Sequence, residues 1–328
     1  MATQSDFSRF LRRIDGFTHP DWEAIAAAIE NQPADEWPVA WKRVSRMWVD
    51  GLRDDFGGGY RVHESANFLI LTTVPDPVAA AACRFCESAL QTIMTGLKGA
   101  ASDAGYGHHV VLCFDEMDDY YSYIAQFYPD GDHPMTGGVC LGGGGYVHLA
   151  LPTKGQAFSR GPLVHELTHA CLVHLPLPTW LNEALAMKME AVICGGGAPP
   201  FDRELYDQHV RHWNGATIQQ FWSGESWGLA GDGFTLSYSL ADILWRKIEV
   251  DLRPPKPVLI EFISKANSSD AGQAASRELF GVGLEDVVED FLGPGQWMPA
   301  PESWPGELEA EKPETPAARP ITSAPARR

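Results

Sequence analysis

Apolar residues recur every three or four positions in the first part of the chain, a spacing typical of amphipathic helices. One such stripe contains Trp22, Ile25 and Ile29, and a second, after Asp35, contains Trp41, Val44, Trp48 and Leu52. Pro20 is placed to start the first helix, because proline is tolerated in a first helical turn. The glycine run in DFGGGY ends the second helix. We therefore predict that residues 1–59 form a helical N-terminal segment.

After residue 60 the pattern changes to short, uninterrupted apolar runs. NFLILTT (67–73) and HVVLCFD (109–115) predict buried strands, and the segment between them, 76–97, predicts a long helix. A further helix is expected in EMDDYYSYIAQFY, followed by two short strands around the glycine turn of GGVCLGGGGYVHLALP. Together these elements predict a small mixed sheet.

From residue 161 to residue 293 the pattern is almost entirely helical. The predicted helices are 162–174, 179–193, 202–213, 235–250, 256–265, 270–280 and 284–292. A small mixed sheet followed by a mostly helical half defines the α+β class, and we predict one domain over residues 60–293. Residues 294–328 are rich in Pro, Glu, Ala and Arg and predict a disordered tail, in which Trp297 and Trp304 are the side chains able to dock.

The net charge and the cysteines limit which binding partners and which cellular location are expected. The chain of 328 residues carries a formal net charge of −18. This argues against nucleic acid and anionic membranes as partners, because both need clustered Lys and Arg. The sequence shows neither an apolar run of about 18 residues nor a signal-peptide pattern, so we expect a cytoplasmic location. The six cysteines, including the lone pair Cys83 and Cys86, are expected to be reduced and mostly buried.

A polar motif interrupts the apolar pattern of the helical half. The segment GPLVHELTHACLVHLPLPTWLNEALAMKME (161–190) contains H-E-x-x-H, formed by His165, Glu166 and His169. Positions i and i+4 of a helix share one face, so both imidazoles can bind a single metal ion. Glu166 is rotated by about 100° from His165, where a general base that activates water should stand. A catalytic zinc needs one further protein ligand.

Three side chains compete to be that third ligand. His174 follows His169 by five residues, which places it about 140° around the helix. A metzincin would need histidine at position 175 and glycine at position 172, and both positions hold leucine. Glu183 follows a proline-flanked break, and a helix that reverses there returns its first turns over the two histidines. Glu183 is therefore the best candidate, and Glu190, two turns further on, is a weaker one.

The competing interpretation of the motif is an ordinary buried helix. Two histidines and a glutamate beside Leu163, Val164 and Leu167 would be costly core residues without partners. A metal ion supplies that partnership, so the pattern favours a zinc site.

These segments also resemble a known family. LVHELTHACL (163–172) followed by LPTWLNEALAMKME (177–190) is similar to the gluzincin metallopeptidases, the thermolysin-like peptidase MA clan. The resemblance is closest to the uncharacterised bacterial peptidase MA-like domains, in which W-L-x-E-G-[LF]-A follows the H-E-x-x-H helix. It extends over about residues 60–293 through NFLILTT, VVLCFD, YSLADILWRKI and FGVGLEDVVEDFL. It implies a zincin fold.

The resemblance implies roles for particular residues. His165, His169 and Glu183 would be the zinc ligands and Glu166 the general base. Tyr238, which opens YSLADIL, is the best match to an oxyanion-stabilising residue, although a buried core tyrosine stays open as its alternative. His209 and His212 are weaker options for that role.

The sequence departs from the family pattern at two positions and in one spacing. Ala184 stands where the family has glycine, and Met187 stands where thermolysin has an aspartate that supports a ligand histidine. The spacing from H-E-x-x-H to the glutamate is also shorter than in thermolysin. The partner of the ligand histidines must therefore come from elsewhere in this chain.

We therefore expect a zinc metallopeptidase that hydrolyses peptide bonds of a peptide or protein substrate, with a zinc-activated water and Glu166 as general base. The alternative is a non-catalytic zincin-fold protein with a structural or partner-binding role. A zinc hydrolase acting on another substrate class stays open as well. The strand pair around the glycine turn is either an edge that binds extended peptide or a simple hairpin.

Overall fold

The computed structural model describes residues 6–103, 107–128, 137–143, 146–153, 159–196, 202–229 and 231–305. It is an α+β structure, as the sequence predicts. Its strands are β1 (Leu11–Ile14), β2 (Phe17–Pro20), β3 (Arg61–Glu64), β4 (Phe68–Thr72), β5 (His109–Phe114), β6 (Val139–Gly143) and β7 (Tyr146–Pro152). Its α-helices are α1 (Trp22–Glu30), α2 (Trp37–Phe56), α3 (Asp76–Gly96), α4 (Met117–Ile124), α5 (Arg160–Leu172), α6 (Thr179–Cys194), α7 (Arg203–His212), α8 (Thr217–Ser223), α9 (Asp232–Arg246), α10 (Lys256–Lys265), α11 (Gln273–Phe280) and α12 (Leu284–Leu292).

A five-stranded mixed sheet lies at the centre of the described structure, in the order β3-β4-β5-β7-β6. Strands β4, β5 and β7 are parallel, and Ile70 pairs with Val111, which in turn pairs with Leu149. Strands β3 and β6 are antiparallel to their neighbours, so β6 forms one edge of this sheet. The two apolar runs predicted to be strands do form β4 and β5. Strand β3 was not predicted, because its sequence, RVHE, is largely polar.

The alternating side chains of the central strands feed two hydrophobic cores. Ile70, Val111 and Leu149 face α3 and α5. On the other face, Leu112 and Ala150 belong to a core with the N-terminal helices and α4. Because both faces of the parallel strands are covered, their sequences are apolar without alternation. This explains why they appear in the sequence as continuous runs.

The expectation that residues 1–59 are helical is wrong for residues 11–20. Strands β1 and β2 form an antiparallel hairpin in which Ile14 pairs with Phe17. The two residues between them, Asp15 and Gly16, have φ angles of +48° and +91°. An Asp-Gly pair with both φ values positive is typical of a tight hairpin turn. Pro20 accordingly ends β2 instead of opening a helix.

Prolines separate the two helices that carry the polar motif. Helix α5 ends at Leu172, and α6 starts directly after Pro178. The two helices pack closely against each other. Trp180, in the first turn of α6, is fully buried, and its indole N–H donates to the carbonyl of Ala271 at 2.9 Å. This fixes the start of α6 against the helical half.

The helical half contains the predicted helices and one that the sequence analysis missed. Helix α8 is short, and its residue Gln219 binds the segment that follows α12. The Gln219 amide oxygen accepts from the backbone N–H of Ala300 at 2.9 Å and from the Trp304 indole at 3.0 Å. Trp297 is also buried there. Both tryptophans therefore dock, and the expectation of a disordered tail is wrong for residues 294–305, which pack on the helical half. Residues 306–328 lie outside the described residues.

Among the helices of the described ranges, none combines the length and the apolar composition that a membrane span requires. All six cysteines are free thiols. Cys83 and Cys86, on α3, are buried, and burial raises the pKa of both thiols. The C-x-x-C pair is therefore part of the core, as predicted.

Candidate metal centre

Helix α5 presents two imidazoles one turn apart. The ring centroids of His165 and His169 are 4.8 Å apart and nearly perpendicular, at 81°. Both side chains are about one-seventh exposed, at 15% and 14%. The rest of the helix is anchored by buried apolar residues such as Leu163 and Leu167. The helix therefore holds the two histidines at the border between the core and an accessible surface.

Glu183 on α6 lies between the two imidazoles. One carboxylate oxygen of Glu183, Oε2, is 3.1 Å from Nε2 of His165, and the other, Oε1, is 3.6 Å from Nε2 of His169. One potential ligand atom from each of the three residues lies within 4.8 Å of the others. The reversal of the chain between α5 and α6 thus brings Glu183 to the two histidines, as its position in the sequence predicts.

This arrangement fits a tetrahedral zinc ion. Zinc binds imidazole nitrogen and carboxylate oxygen at about 2.0–2.2 Å, so tetrahedral ligand atoms are separated by roughly 3.4 Å. The observed separations of 3.1 and 3.6 Å fall on either side of that value. Two imidazoles and one carboxylate are also the donor set that zinc accepts in catalytic sites. These two separations involve different oxygens of Glu183, and the three donor atoms lie within 4.8 Å of one another, so the three residues could hold zinc after the side chains adjust around the ion.

The charges of the cluster are strongly coupled. Burial opposes the charge on His165 and His169, but the Glu183 carboxylate outweighs it and raises the pKa of both imidazoles. Burial also opposes the Glu183 charge, yet the two histidines lower the pKa of Glu183. The pocket therefore stabilises positive charge next to an ionised carboxylate, and a divalent cation would take over that role.

Glu166 stands beside this cluster on the same helix. Its side chain is buried, with 9% relative exposure, and burial raises the pKa of its carboxyl. The charges of His169 and His165, and then a hydrogen bond from the backbone N–H of Cys140 in the edge strand β6, partly offset that rise. Gly138 lies beside this side chain, where a Cβ would clash with Leu151 and approach Cγ of Glu166 to 3.3 Å. A buried carboxyl with a raised pKa suits a general base.

Glu190 lies against the far side of His165. Its Oε2 is 3.6 Å from Nδ1 of His165, whereas the Nε2 atom of the same ring faces Glu183. Sequence reasoning considered Glu190 only as a ligand. The sequence feature that could have indicated this contact is the spacing of seven residues between Glu183 and Glu190. Residues seven apart in a helix are separated by two turns and lie on the same face.

Tyr238 on α9 lies near both carboxylates. Burial, followed by the charges of Glu183 and Glu166, raises the pKa of its phenol. Its ring also packs against Trp227 and Phe234, at centroid distances of 6.1 and 5.2 Å. Tyr238 is therefore both part of an aromatic cluster and within electrostatic range of the candidate site.

The other histidines considered from the sequence serve different purposes. His209 is fully buried, and its Nδ1 accepts from the Trp213 indole at 2.9 Å. Because an indole only donates, Nε2 carries the proton of the neutral ring and donates to Ser239 Oγ at 2.9 Å. Burial lowers the pKa of His209 to about 4, so this ring stays neutral and cannot take a proton from Ser239. His212 packs edge-on against Trp213, and His174 is exposed after α5.

Sequence reasoning also missed two residues on the side of the edge strand. Burial, followed by the charges of Glu166 and Cys140, raises the pKa of Tyr128. Cys140 is half-buried, and its backbone N–H donates to Glu166. Their positions depend on how β6 and the end of α4 lie beside α5, which no local pattern encodes.

No family model, curated protein or solved structure matches the chain. Function is therefore inferred from the chemistry of the cluster itself.

Proposed function

We propose that the protein is a zinc-dependent metallopeptidase with a zincin fold of the gluzincin type. The observation that carries the proposal is the convergence of His165, His169 and Glu183 from two helices, with the buried carboxyl of Glu166 beside them. A purely structural metal site has no use for that carboxyl. A peptide or protein in the cytoplasm is the substrate we propose.

Each residue of the cluster has a defined task in this proposal. Zinc, when bound, supplies Lewis-acid polarisation and lowers the pKa of water. Nε2 of His165, Nε2 of His169 and the Glu183 carboxylate hold the ion. Glu166 takes the proton of the attacking water and passes it to the leaving amine. Burial raises the pKa of Glu166, which makes its carboxylate a stronger base.

The edge strand β6 supports a peptide as substrate. It pairs with β7 on one side only in the described sheet, and its residue Cys140 directs a backbone N–H to Glu166. Along a strand, the backbone N–H and C=O groups of successive residues point to opposite sides. Those of Gly142 therefore point to the same side as those of Cys140. An extended peptide pairing with this edge would be aligned beside the candidate site.

Two measurements test the proposal directly. Elemental analysis of the purified protein should find close to one zinc per chain, and His165→Ala should lose it. A peptide library incubated with the zinc-loaded protein should be cleaved. If the protein binds zinc but cleaves no peptide, the non-catalytic alternative is favoured. If zinc is bound neither by the protein as purified nor by the protein incubated with zinc, the metal site is refuted.

Tyr238→Phe is expected to lower kcat by about 100-fold, the typical effect of removing one donor to a developing oxyanion. KM and zinc content should change little, because the hydroxyl acts on the transition state and phenylalanine preserves the ring packing on Trp227 and Phe234. Steady-state kinetics on a cleaved peptide measures the effect. Tyr206→Phe, in a ring that packs on Phe291, is the matched control. Equal kcat for the unmodified protein and Tyr238→Phe would leave Tyr238 as a packing residue.

Zinc affinity is expected to rise with pH around neutrality. The metal-free cluster raises the pKa of His165 to about 10 and also raises the pKa of His169, so at neutral pH the His165 imidazole holds a proton that zinc must displace. Proton binding is favoured below those raised pKa values and is lost above them, so the apparent Kd for zinc falls as pH rises. The expected slope is roughly 10-fold per pH unit for each displaced proton. Competition with a chelator, corrected for the pH dependence of the chelator, measures it. A Kd that does not change between pH 6 and 8 would contradict this account.

A further inference from the structure

We propose that a cavity on the N-terminal side of the central sheet binds a small organic ammonium ion. The cavity is bounded by β2, α1, α2, α4 and β7, and its volume of about 320 Å³ lies in the usual range of small-molecule sites. His148 lines it from β7, whereas the next residue, Leu149, packs toward α5. Successive side chains of a strand point to opposite faces, so the cavity and the candidate metal centre lie on opposite faces of the sheet. The inference therefore does not depend on the metal.

The walls of this cavity are aromatic rings that cross one another at steep angles. The rings of Trp22 and Trp48 are 5.3 Å apart at 88°, and Trp48 meets the His148 ring at 5.0 Å and 83°. Phe127 lies 5.4 Å from His148 at 63°, and Tyr123 lies 5.8 Å from it at 73°. The face of an aromatic ring is electrostatically negative. Several such rings around one space form the kind of site that binds alkylated ammonium ions.

One nitrogen of His148 is unpaired at the wall of the cavity. The residue is only 3% exposed, and its Nε2 lies 2.8 Å from the Tyr123 hydroxyl. Its Nδ1 has no hydrogen-bond partner in the part of the chain that the structure describes. A ligand hydroxyl can both donate and accept, so it would satisfy Nδ1 in either tautomer of the ring. Burial lowers the pKa of His148 to about 3, so the ring is neutral and does not repel a cation.

Two carboxylates give the cavity negative charge. Asp21 precedes α1 and Glu23 lies in its first turn, and both line the cavity. Asp21 accepts from the backbone N–H of Ala24 at 3.1 Å, so it also compensates the positive end of the α1 dipole. Its ion pair with Arg12 is long, at 3.4 Å, and exposed, so it is weak. The carboxylates therefore favour a cationic ligand.

Other classes of ligand fit the cavity less well. An anion would be repelled by Asp21 and Glu23. A metal ion needs several converging ligand atoms, and the described residues of the cavity form no such group. A neutral apolar ligand would leave Nδ1 of His148 buried and unpaired, which costs free energy. An alkylated ammonium ion that carries a hydroxyl group uses the aromatic faces, the carboxylates and the unpaired nitrogen together.

Choline is the probe for the experiment, because it combines a trimethylammonium group with a hydroxyl. Its neutral isostere, in which carbon replaces the nitrogen, has the same shape without the charge. Titrations followed by ligand-detected NMR measure both. We expect choline to bind with a Kd of about 1 mM or tighter, as a ligand of its size can, and about 10-fold more tightly than the isostere. Equal binding of the two, or binding of neither, would overturn the proposal.

Phe127→Leu removes one aromatic face and keeps an apolar side chain. It should weaken choline binding by about 3- to 10-fold and change the binding of the isostere little. Phe10→Leu is the matched control, since Phe10 is a half-buried ring on the same side of the sheet that does not line the cavity. Melting temperatures verify that both variants are folded. If Phe127→Leu weakens choline and isostere equally, the aromatic face does not bind the cation and the proposal fails.

Glu23→Gln tests the charge at the cavity. It should weaken choline binding by about 2- to 5-fold, and more at low than at high salt, because salt screens exposed charges. Glu30→Gln, at the other end of α1 and also exposed, removes the same charge away from the cavity and should leave the Kd unchanged. The same Kd in both variants would contradict the role of the carboxylates. None of these outcomes depends on zinc or on peptide cleavage, so this inference and the proposed function stand or fall separately.

Discussion

Replacing Glu166 by glutamine is expected to lower kcat for peptide hydrolysis by about 100- to 10,000-fold, the usual contribution of a general acid–base group. Glutamine matches glutamate in shape, so it fits the same space beside Gly138 and can bind the same backbone N–H of Cys140. It cannot accept a proton, because its amide is not basic at neutral pH. The three proposed ligands are unchanged, so zinc content should remain that of the unmodified protein.

The measurement combines steady-state kinetics on a cleaved peptide with elemental analysis of the same sample. Glu204→Gln, at an exposed position on α7, controls for the loss of one negative charge. A Glu166→Gln protein that keeps both its zinc and its full rate would remove Glu166 from the mechanism. A protein that loses zinc as well would show that Glu166 supports the metal instead.

The central elements were predictable because their signals are local. Strands β4 and β5 are buried on both faces, so their sequences are continuous apolar runs bounded by polar residues. The placement of His165, Glu166 and His169 follows from the geometry of a single helix. Glu183 required one further step, the reversal between α5 and α6, which the prolines in the connection indicate.

The elements that sequence analysis missed depend on contacts between distant segments. The Asp15-Gly16 turn is a hairpin signal, but the polar sequence LRRI of β1 hides the strand beside it. Glu190 can lie against His165 only because Gly161 has no side chain: when α5 and α6 are packed together, a Cβ at Gly161 would occupy the space of the Glu190 carboxylate. Such contacts follow from packing, which periodicity alone does not encode.

The position of the cluster explains how a buried helix tolerates so many polar groups. The apolar side of α5 contributes Leu163, Val164 and Leu167 to the core beneath the sheet. Its polar side faces α6, and each imidazole there has the Glu183 carboxylate within 3.6 Å. In the proposed function, a metal ion would replace these contacts with stronger ones.

Glu183→Ala is expected to weaken zinc binding by roughly 100- to 1,000-fold, because a structural zinc site worth about 10–16 kcal/mol assigns about 2.5–4 kcal/mol to each of four ligands. The same change removes the carboxylate that both imidazoles face, and it leaves Glu166 and the fold of α6 intact. Peptide hydrolysis should fall with zinc occupancy, in contrast to Glu166→Gln, where zinc stays and only the rate falls.

Thermal unfolding provides a second measurement of this ligand loss. Zinc present at about 100 times its Kd stabilises the unmodified protein by about 2.7 kcal/mol, and the same zinc concentration should leave the melting temperature of Glu183→Ala nearly unchanged. Val192→Ala, at an exposed position later on α6, should keep the full zinc-induced shift. An equal shift in Glu183→Ala would show that the ion binds without Glu183, and the two-helix site would then be wrong even if His165 and His169 hold zinc.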